Sequence, residues 1–290
     1  MKKNIVKSLC LLAGSLFVSC FSAATEDEMA GEEGFLQTFH CLEFEHLPFE
    51  TRSTGIKEVA TRLDFAVFDS EGTRVKSIGQ EISEESFGTV SVRLAEGTYT
   101  MVAIAHNGEK AAKLTTPSKV TFEYDGNKVT DTFVYYQSIT VESDKSYDMN
   151  MKRCVAMVRF VFTDNAPADV VSFSFYYTGG SSALDATTGK GCVNSRQRET
   201  RNRVAANSEG ESVYEIYTFP KADSENLKLT VSALNESGET VYEKVLEEVP
   251  VAVNEITQYT GAFFSNSSSL YDSNNTFYTN DTWTVNDYTL

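Results

Sequence analysis

Histidine is nearly missing from this chain: three occur in 290 residues, His40, His46 and His106. His40 and His46 bracket Cys41-Leu42-Glu43-Phe44-Glu45 and share one face of a strand by parity. They lie too far apart along it to hold one ion. No CxxC pair is present among the five cysteines, so neither a metal site nor a redox dithiol is expected. His40 and Cys41 are neighbours, but adjacent strand residues point to opposite faces, which excludes a direct thiol–imidazole pair. Positive charge is also scarce, with 25 Lys and Arg against 41 Asp and Glu and a formal charge of −16. A nucleic-acid partner needs a basic footprint, and anionic membranes would repel such a surface. Chance carboxylate pairs are expected among so many acids, so Glu43 and Glu45 read as a solvated strand edge rather than a hydrolase pair. No catalytic constellation assembles from the sequence, no cofactor is expected, and the chain reads as non-enzymatic.

What is present begins with a leader. Lys2, Lys3 and Lys7 flank the start of an apolar run from Leu9 to Val18, followed by Ser19-Cys20. A charged start, a short apolar stretch and a small residue at the cut make an export signal. The run is too short for a membrane-spanning helix, which needs ~20 residues. Phe17-Val18-Ser19-Cys20 resembles a bacterial lipobox. It implies a signal peptide over residues 1–19 and Cys20 as the lipidated first residue of the mature chain. An ordinary leader cut near Ala23 or Ala24 would discard Cys20; the small residue directly before a Cys favours lipidation. Residues 20–34 form an acidic linker, in which Glu26-Asp27-Glu28 resembles the surface-export signal of Bacteroidota lipoproteins. That places the chain on the outer face of the outer membrane. Loss of the leader removes three Lys and no acid, so acyl chains such as palmitate must supply attachment. Each buried methylene contributes ~0.8 kcal/mol.

From Phe35 onward the apolar period is two, not 3.6. Leu63, Phe65 and Val67 alternate with Asp64 and Ala66; Val90, Val92 and Leu94 alternate with Ser91 and Arg93. Tyr99, Met101, Ala103 and Ala105 face one way, Val102 and Ile104 the other. Turns stand between them at Asp69-Ser70-Glu71-Gly72, Asn107-Gly108 and Asp125-Gly126-Asn127. A second series follows: Val158, Phe160 and Phe162, then Val171, Phe173, Phe175 and Tyr177, then Val213 to Phe219, Leu227 to Val231 and Ile256 to Thr260. Short alternating strands with turn clusters predict an all-β fold. The expected architecture is two tandem, transthyretin-like, antiparallel Greek-key β-sandwiches, residues 35–153 and 154–264, with a Ser/Asn-rich tail over 265–290.

Between Gly179 and Glu211 large apolar residues are few, and Thr178-Gly179-Gly180-Ser181-Ser182-Ala183-Leu184-Asp185-Ala186-Thr187-Thr188-Gly189 reads as a long surface loop over one end of the second sandwich. Two glycines could nest an anion, but no helix pattern follows to support a nucleotide. Cys41, Cys154 and Cys192 remain after the leader and the lipid site, either as one disulfide plus a thiol or as three free thiols.

Leu63-Asp64-Phe65-Ala66-Val67-Phe68-Asp69 and Phe87-Gly88-Thr89-Val90-Ser91-Val92-Arg93-Leu94-Ala95-Glu96-Gly97-Thr98-Tyr99 resemble the first domain of fimbrillin-type lipoproteins, specifically the FimB-type anchor or minor subunits of Bacteroidales type V pili. Val155-Ala156-Met157-Val158-Arg159-Phe160 and the loop from Tyr177 to Asn194 resemble the second. The cysteine-bearing segment that follows the lipid Cys in many anchor subunits is absent. The resemblance implies a lipid-held structural protein that joins other fimbrial subunits by strand exchange and meets host or bacterial surface ligands in adhesion. In polymerising relatives an Arg-specific protease removes the first strand. Here that strand is expected near Thr38 to Phe49, with Arg52 where such a cut would fall, although an anchor should keep it. Thr282-Trp283-Thr284-Val285-Asn286 alternates polar and apolar beyond a polar linker, as a donor strand requires. The alternative function is a glycan-binding lipoprotein of a polysaccharide-uptake system, with Tyr176, Tyr177, Tyr214 and Tyr217 as candidate platforms. Those tyrosines also suit sheet faces, and the single Trp lies in the tail.

Overall fold

The computed structural model describes residues 33–41, 55–123, 129–265, 277–280 and 283–289. The strands of the first part are β1 (Phe35–His40), β2 (Arg62–Phe68), β3 (Arg74–Glu81), β4 (Thr89–Leu94), β5 (Gly97–His106), β6 (Lys113–Thr116), β7 (Lys119–Thr121), β8 (Thr132–Val141), β9 (Lys145–Asp148) and β10 (Lys152–Arg153). One helical turn, α1 (Ile56–Val59), precedes β2. The second part contains β11 (Ala156–Phe162), β12 (Ser172–Thr178), β13 (Ala183–Asp185), β14 (Lys190–Gly191), β15 (Arg196–Asn202), β16 (Ser212–Thr218), β17 (Ser224–Leu234), β18 (Thr240–Ala252) and β19 (Glu255–Gly261). The tail adds β20 (Phe277–Asn280) and β21 (Trp283–Thr289). The fold is all-β, as the alternation predicts. Most neighbours run antiparallel; β1–β9, β11–β19 and β19–β21 are parallel.

Turn chemistry sets the hairpins. Asp69 Oδ1 accepts the N–H groups of Glu71 and Thr73, closing β2 onto β3. Asn235 Oδ1 does the same for Ser237 and Glu239 between β17 and β18. Side-chain mimicry of a backbone turn is why Asp and Asn stand first in these clusters.

Five sheets enclose three cores among the described residues. Sheet β4-β1-β9 lies over sheet β10-β8-β5-β2-β3, and Phe39, Leu63, Phe65, Val67, Met101 and Ala103 fill the space between. In the second part, β16-β11-β19 with β21 and β20 faces β15-β12-β17-β18. Val158, Phe160, Phe162, Phe173, Phe175 and Tyr177 pack there, edge to face and offset, with Phe162 and Phe263 ring centroids 4.7 Å apart. The third core joins the two parts. Ala66, Phe68, Val102 and Ile104 project from the other face of the β5-β2 layer and meet Met157, Leu184, Phe219 and Ile256. Strands β2 and β5 are therefore buried on both faces, which explains why Met101-Val102-Ala103-Ile104-Ala105 is continuously apolar.

The segment from Gly179 to Gly189 is not a surface loop over the second sandwich. It crosses to the first part. β13 pairs antiparallel with β7, Ala183 opposite Thr121 and Leu184 opposite Val120, in the small sheet β14-β13-β7-β6. Leu184 is fully buried. Ser181 and Phe219 exchange both backbone hydrogen bonds at 3.2 Å, and the Ser181 hydroxyl donates to the Ala183 carbonyl at 2.6 Å. This close approach requires Gly180: a Cβ there would fall on Thr218 Oγ1.

Several buried polar groups beside these cores are held by specific partners. His106 Nδ1 accepts the Gly108 N–H at 2.9 Å, so its Nε2 carries the proton and donates to Asp64 Oδ2 at 2.9 Å. Asp64 Oδ2 also accepts the Ala112 N–H, which ties the crossing after β5 to the sheet. Arg153 donates to both oxygens of Asp131 and to Asn254 Oδ1, linking the end of β10 to the turn before β19. Cys41, Cys154 and Cys192 are all free thiols, the first two buried and the third exposed.

Leu184→Ala should cost about 2–5 kcal/mol, because it deletes a buried side chain from the shared core. Calorimetry of the unaltered chain should give one unfolding transition, and Leu184→Asp should split it into two; an unsplit transition in that variant would show that the parts do not depend on the clasp. Burial alone pushes the Cys41 thiol up to about 12; burial first, and then the nearby Asp131 carboxylate, push the Cys154 thiol well above its ordinary value against the opposing Arg153 guanidinium. An unfolded thiol ionises near about 8.5. The neutral buried thiol thus contributes stability that is complete below that value and is lost as pH rises towards about 12. Urea midpoints should fall between about pH 8 and pH 10, and Cys41→Ser should flatten the fall if this thiol causes it.

Candidate functional site

Among the described residues no group of three or more His, Cys, Asp or Glu is placed to hold a metal. His40 Nδ1 lies 3.3 Å from Thr89 Oγ1, and His106 is consumed by its partners inside the fold. The first and last of the described strands offer backbone for interaction.

β1 is the central strand of its sheet. It pairs antiparallel with β4 over six residues, Phe35 opposite Leu94 to His40 opposite Thr89. It pairs parallel with β9 over four, Gln37 opposite Lys145 to His40 opposite Asp148. Phe39 is fully buried, its ring 5.0 Å from Phe65 and stacked at 5.0 Å on Tyr147. Gln37 Nε2 donates to the Ser143 carbonyl at 2.8 Å, and Asp144 Oδ1 accepts the Leu36 N–H at 2.8 Å. Entry into the strand requires glycine. Gly34 has φ +120°, and a Cβ there would lie 2.6 Å from the Leu94 carbonyl carbon. Arg93 Nη1 donates to the Gly34 carbonyl at 3.1 Å. The described strand thus begins before the span Thr38 to Phe49 read from sequence and shares Thr38 to His40 with it; residues 42–54, with Glu43, Glu45, His46 and Arg52, lie outside the described residues, as does Cys20.

At the other end, Trp283, Thr284 and Val285 lie in β21, and Thr282 falls outside the described residues. β21 runs parallel to β19 from Thr284 opposite Glu255 to Thr289 opposite Thr260. β20 folds back antiparallel on β21, Phe277 opposite Asn286. The tail is therefore seated on its own chain's sheet, and β20 forms the sheet's edge.

The tyrosines considered as glycan platforms are mostly consumed by the fold. Tyr177 and Tyr214 are buried in the second core. The Tyr177 hydroxyl donates to Glu199 Oε1 at 2.6 Å and accepts from Gln197 Nε2 at 3.0 Å. Arg201 balances that buried carboxylate, Nη2 to Oε2 at 2.5 Å. Tyr176 is half-buried under the Arg198 guanidinium, and Tyr217 is partly buried against the third core. The periodicity carried this warning, since Tyr177 shares its face with Phe173 and Phe175.

The profile of the family described as fimbrillin-A associated anchor proteins Mfa1 and Mfa2 matches residues 52–289. No curated protein matches the chain. Among solved structures, a candidate adhesin from Bacteroides ovatus ATCC 8483 has the same fold at 11% identity, with a TM-score of 0.50 over 81% of this chain and 88% of its own. The fimbrial anchor protein Mfa2 from Porphyromonas gingivalis aligns at 14% identity and TM-score 0.41 over 72% of this chain and 81% of its own. A fimbrial assembly protein from Parabacteroides distasonis ATCC 8503 aligns at 10% identity and TM-score 0.40 over 81% and 92%. The family profile runs from before α1 into β21, across all three cores, and the chain belongs to the fimbrillin-A associated anchor family, a fimbrial family and not an enzyme family.

Proposed function

We propose that the chain is a lipid-anchored fimbrial subunit of the outer membrane that holds a fibre at the cell surface and supports adhesion. The observation that carries this reading is the setting of β1. It is the first described strand after Cys20, and it is locked by ladders on both sides and by Phe39. A pull from a lipid at Cys20 enters the fold at Gly34 and loads both ladders together. In the strand-exchange scheme of polymerising relatives, loss of the first strand opens a groove. A chain that keeps β1 has no such groove to fill and ends a fibre instead of extending it.

The opposite end supplies the partner contact in this proposal. The β20–β21 hairpin is attached through one ladder, to β19. It can leave that edge without unthreading any other strand and add to a neighbouring subunit, where backbone bonds give strength and alternate side chains give register. Cleavage at Arg52 remains a minor branch of the proposal, since the severed β1 would still be held by its ladders.

Cys20→Ala should release the chain from outer membranes into the soluble fraction, and mass spectrometry of the unaltered chain should find an acylated Cys20 as its first residue. A surface form beginning at Ser53 would instead establish the cut. Phe39→Ala should cost about 3–5 kcal/mol and lower the force at which the chain yields when pulled from its N-terminus in single-molecule experiments; an unchanged force would remove β1 as the bearing strand. Deletion of residues 270–290 should abolish co-purification of fimbrial subunits while leaving the melting transition cooperative. Unchanged capture would defeat the donor role.

A further inference from the structure

A cleft of about 560 Å³ opens where the two parts meet. One wall is the outward side of β8 and β10, with Tyr136 and Lys152; the other is the tight turn after β13, with Thr187 and Lys190, and Asp223 at the rim. Its size is that of a small-molecule site, about 300–1,000 Å³, and a junction between parts is a common place for one.

The walls are held in place before any ligand arrives. Asp185 Oδ1 accepts both the backbone N–H and the hydroxyl of Thr187, and the Asp185 carbonyl accepts the Gly189 N–H at 2.9 Å. The turn is therefore fixed in shape. Arg153, on the cleft's floor, is clamped by Asp131 and Asn254, with its guanidinium 4.6 Å over the Phe133 ring. Lys190 Nζ meets Asp223 Oδ1 at 2.7 Å. Tyr136 is 42% exposed, although its strand neighbours Phe133, Val134 and Tyr135 are buried.

The chemistry of this lining selects a ligand class. Arg153 is matched by Asp131 and Lys190 by Asp223, so both of these cations are already balanced by carboxylates. A phosphate or a second carboxylate would have to compete with those pairs. A neutral ligand rich in hydroxyls would not: the Lys190–Asp223 pair presents a donor and an acceptor side by side, the Thr187 hydroxyl, its proton held by Asp185, adds an acceptor, the Asn150 amide adds one of each kind, and Tyr136 offers an aromatic surface. Vicinal hydroxyls on an apolar C–H face are the complement of that arrangement. We propose that the cleft binds a neutral saccharide, with its pyranose face on Tyr136 and its hydroxyls on Lys190, Asp223, Thr187 and Asn150. None of the tyrosines singled out from sequence takes part.

The test uses the full chain in a non-glycosidic detergent, printed against oligosaccharides that end in neutral hexoses, in N-acetylhexosamines or in sialic or uronic acids. Host-type and bacterial-type glycans form separate arms, which tell the two sources apart. The expected result is binding in a neutral arm that weakens at least tenfold in Tyr136→Ala and in Asp223→Ala. Both variants should keep the melting temperature and the capture of fimbrial subunits. Val241→Ala, an exposed change on β18, should bind as the unaltered chain does. No binding in any neutral arm, binding that survives both substitutions, or binding confined to acidic glycans would each overturn the proposal.

Discussion

The two-faced burial of β2 and β5 is the constraint on which the rest of the molecule depends. A sheet exposed on one side could end there, with polar residues outward. Here Met101, Ala103 and Ala105 point into one core while Val102 and Ile104 point into another. Full burial of a Val, Leu, Ile, Phe or Met side chain is worth about 1.5–3 kcal/mol, so leaving the second face uncovered would forfeit several such contributions at once. β11, β13 and β19 cover it, through Met157, Leu184 and Ile256. The parts are thereby joined through side-chain packing, and the clasp of β13 on β7 follows from the need to close that core at its open end.

Polar groups drawn into this junction are matched one for one. Asp64 faces the third core from a strand where its neighbours are apolar, and it would be costly there without His106 and the Ala112 N–H. Glu199 is matched by Arg201 and the Tyr177 hydroxyl. These pairs hold geometry and leave no lone charge to act on a substrate. The Arg153–Asp131 pair does the same beneath the cleft between the parts, where it keeps the floor polar and close to neutral.

The strands were legible because alternation is a local signal, and most of those read from period two are present. The aromatic faces of β11 and β12 were legible for the same reason: Phe160 and Phe162, with Phe173 and Phe175, keep strict parity. The clasp was not. β13 has three residues, too few to show a period, and its partner β7 is more than sixty residues earlier. Small residues did mark it, since Gly179-Gly180 and Ser181-Ser182 stand where backbones approach closely, but a loop has the same composition. The cleft was hidden too. Tyr136 differs from Tyr135 only in parity, and parity cannot say that a turn from the other part will face it. Thiol pairing was equally beyond reach, because it depends on distances between strands from different sheets.

The chain ends carry the remaining asymmetry. A strand joined to its neighbours by loops on both sides cannot leave a sheet without dragging them along; a terminal strand can. β1 and β21 are the first and last of the described strands, and each lies beside a parallel neighbour, β9 for β1 and β19 for β21. Their costs of departure differ. Withdrawing β1 would strip two ladders at once, empty the space of Phe39 between Phe65 and Tyr147, and bare the first core. Among the described residues, withdrawing the β20–β21 hairpin strips the ladder to β19 and leaves β19 with its other neighbour, β11, still paired. Among the described residues, more backbone pairing would thus be lost on withdrawing β1 than on withdrawing the β20–β21 hairpin.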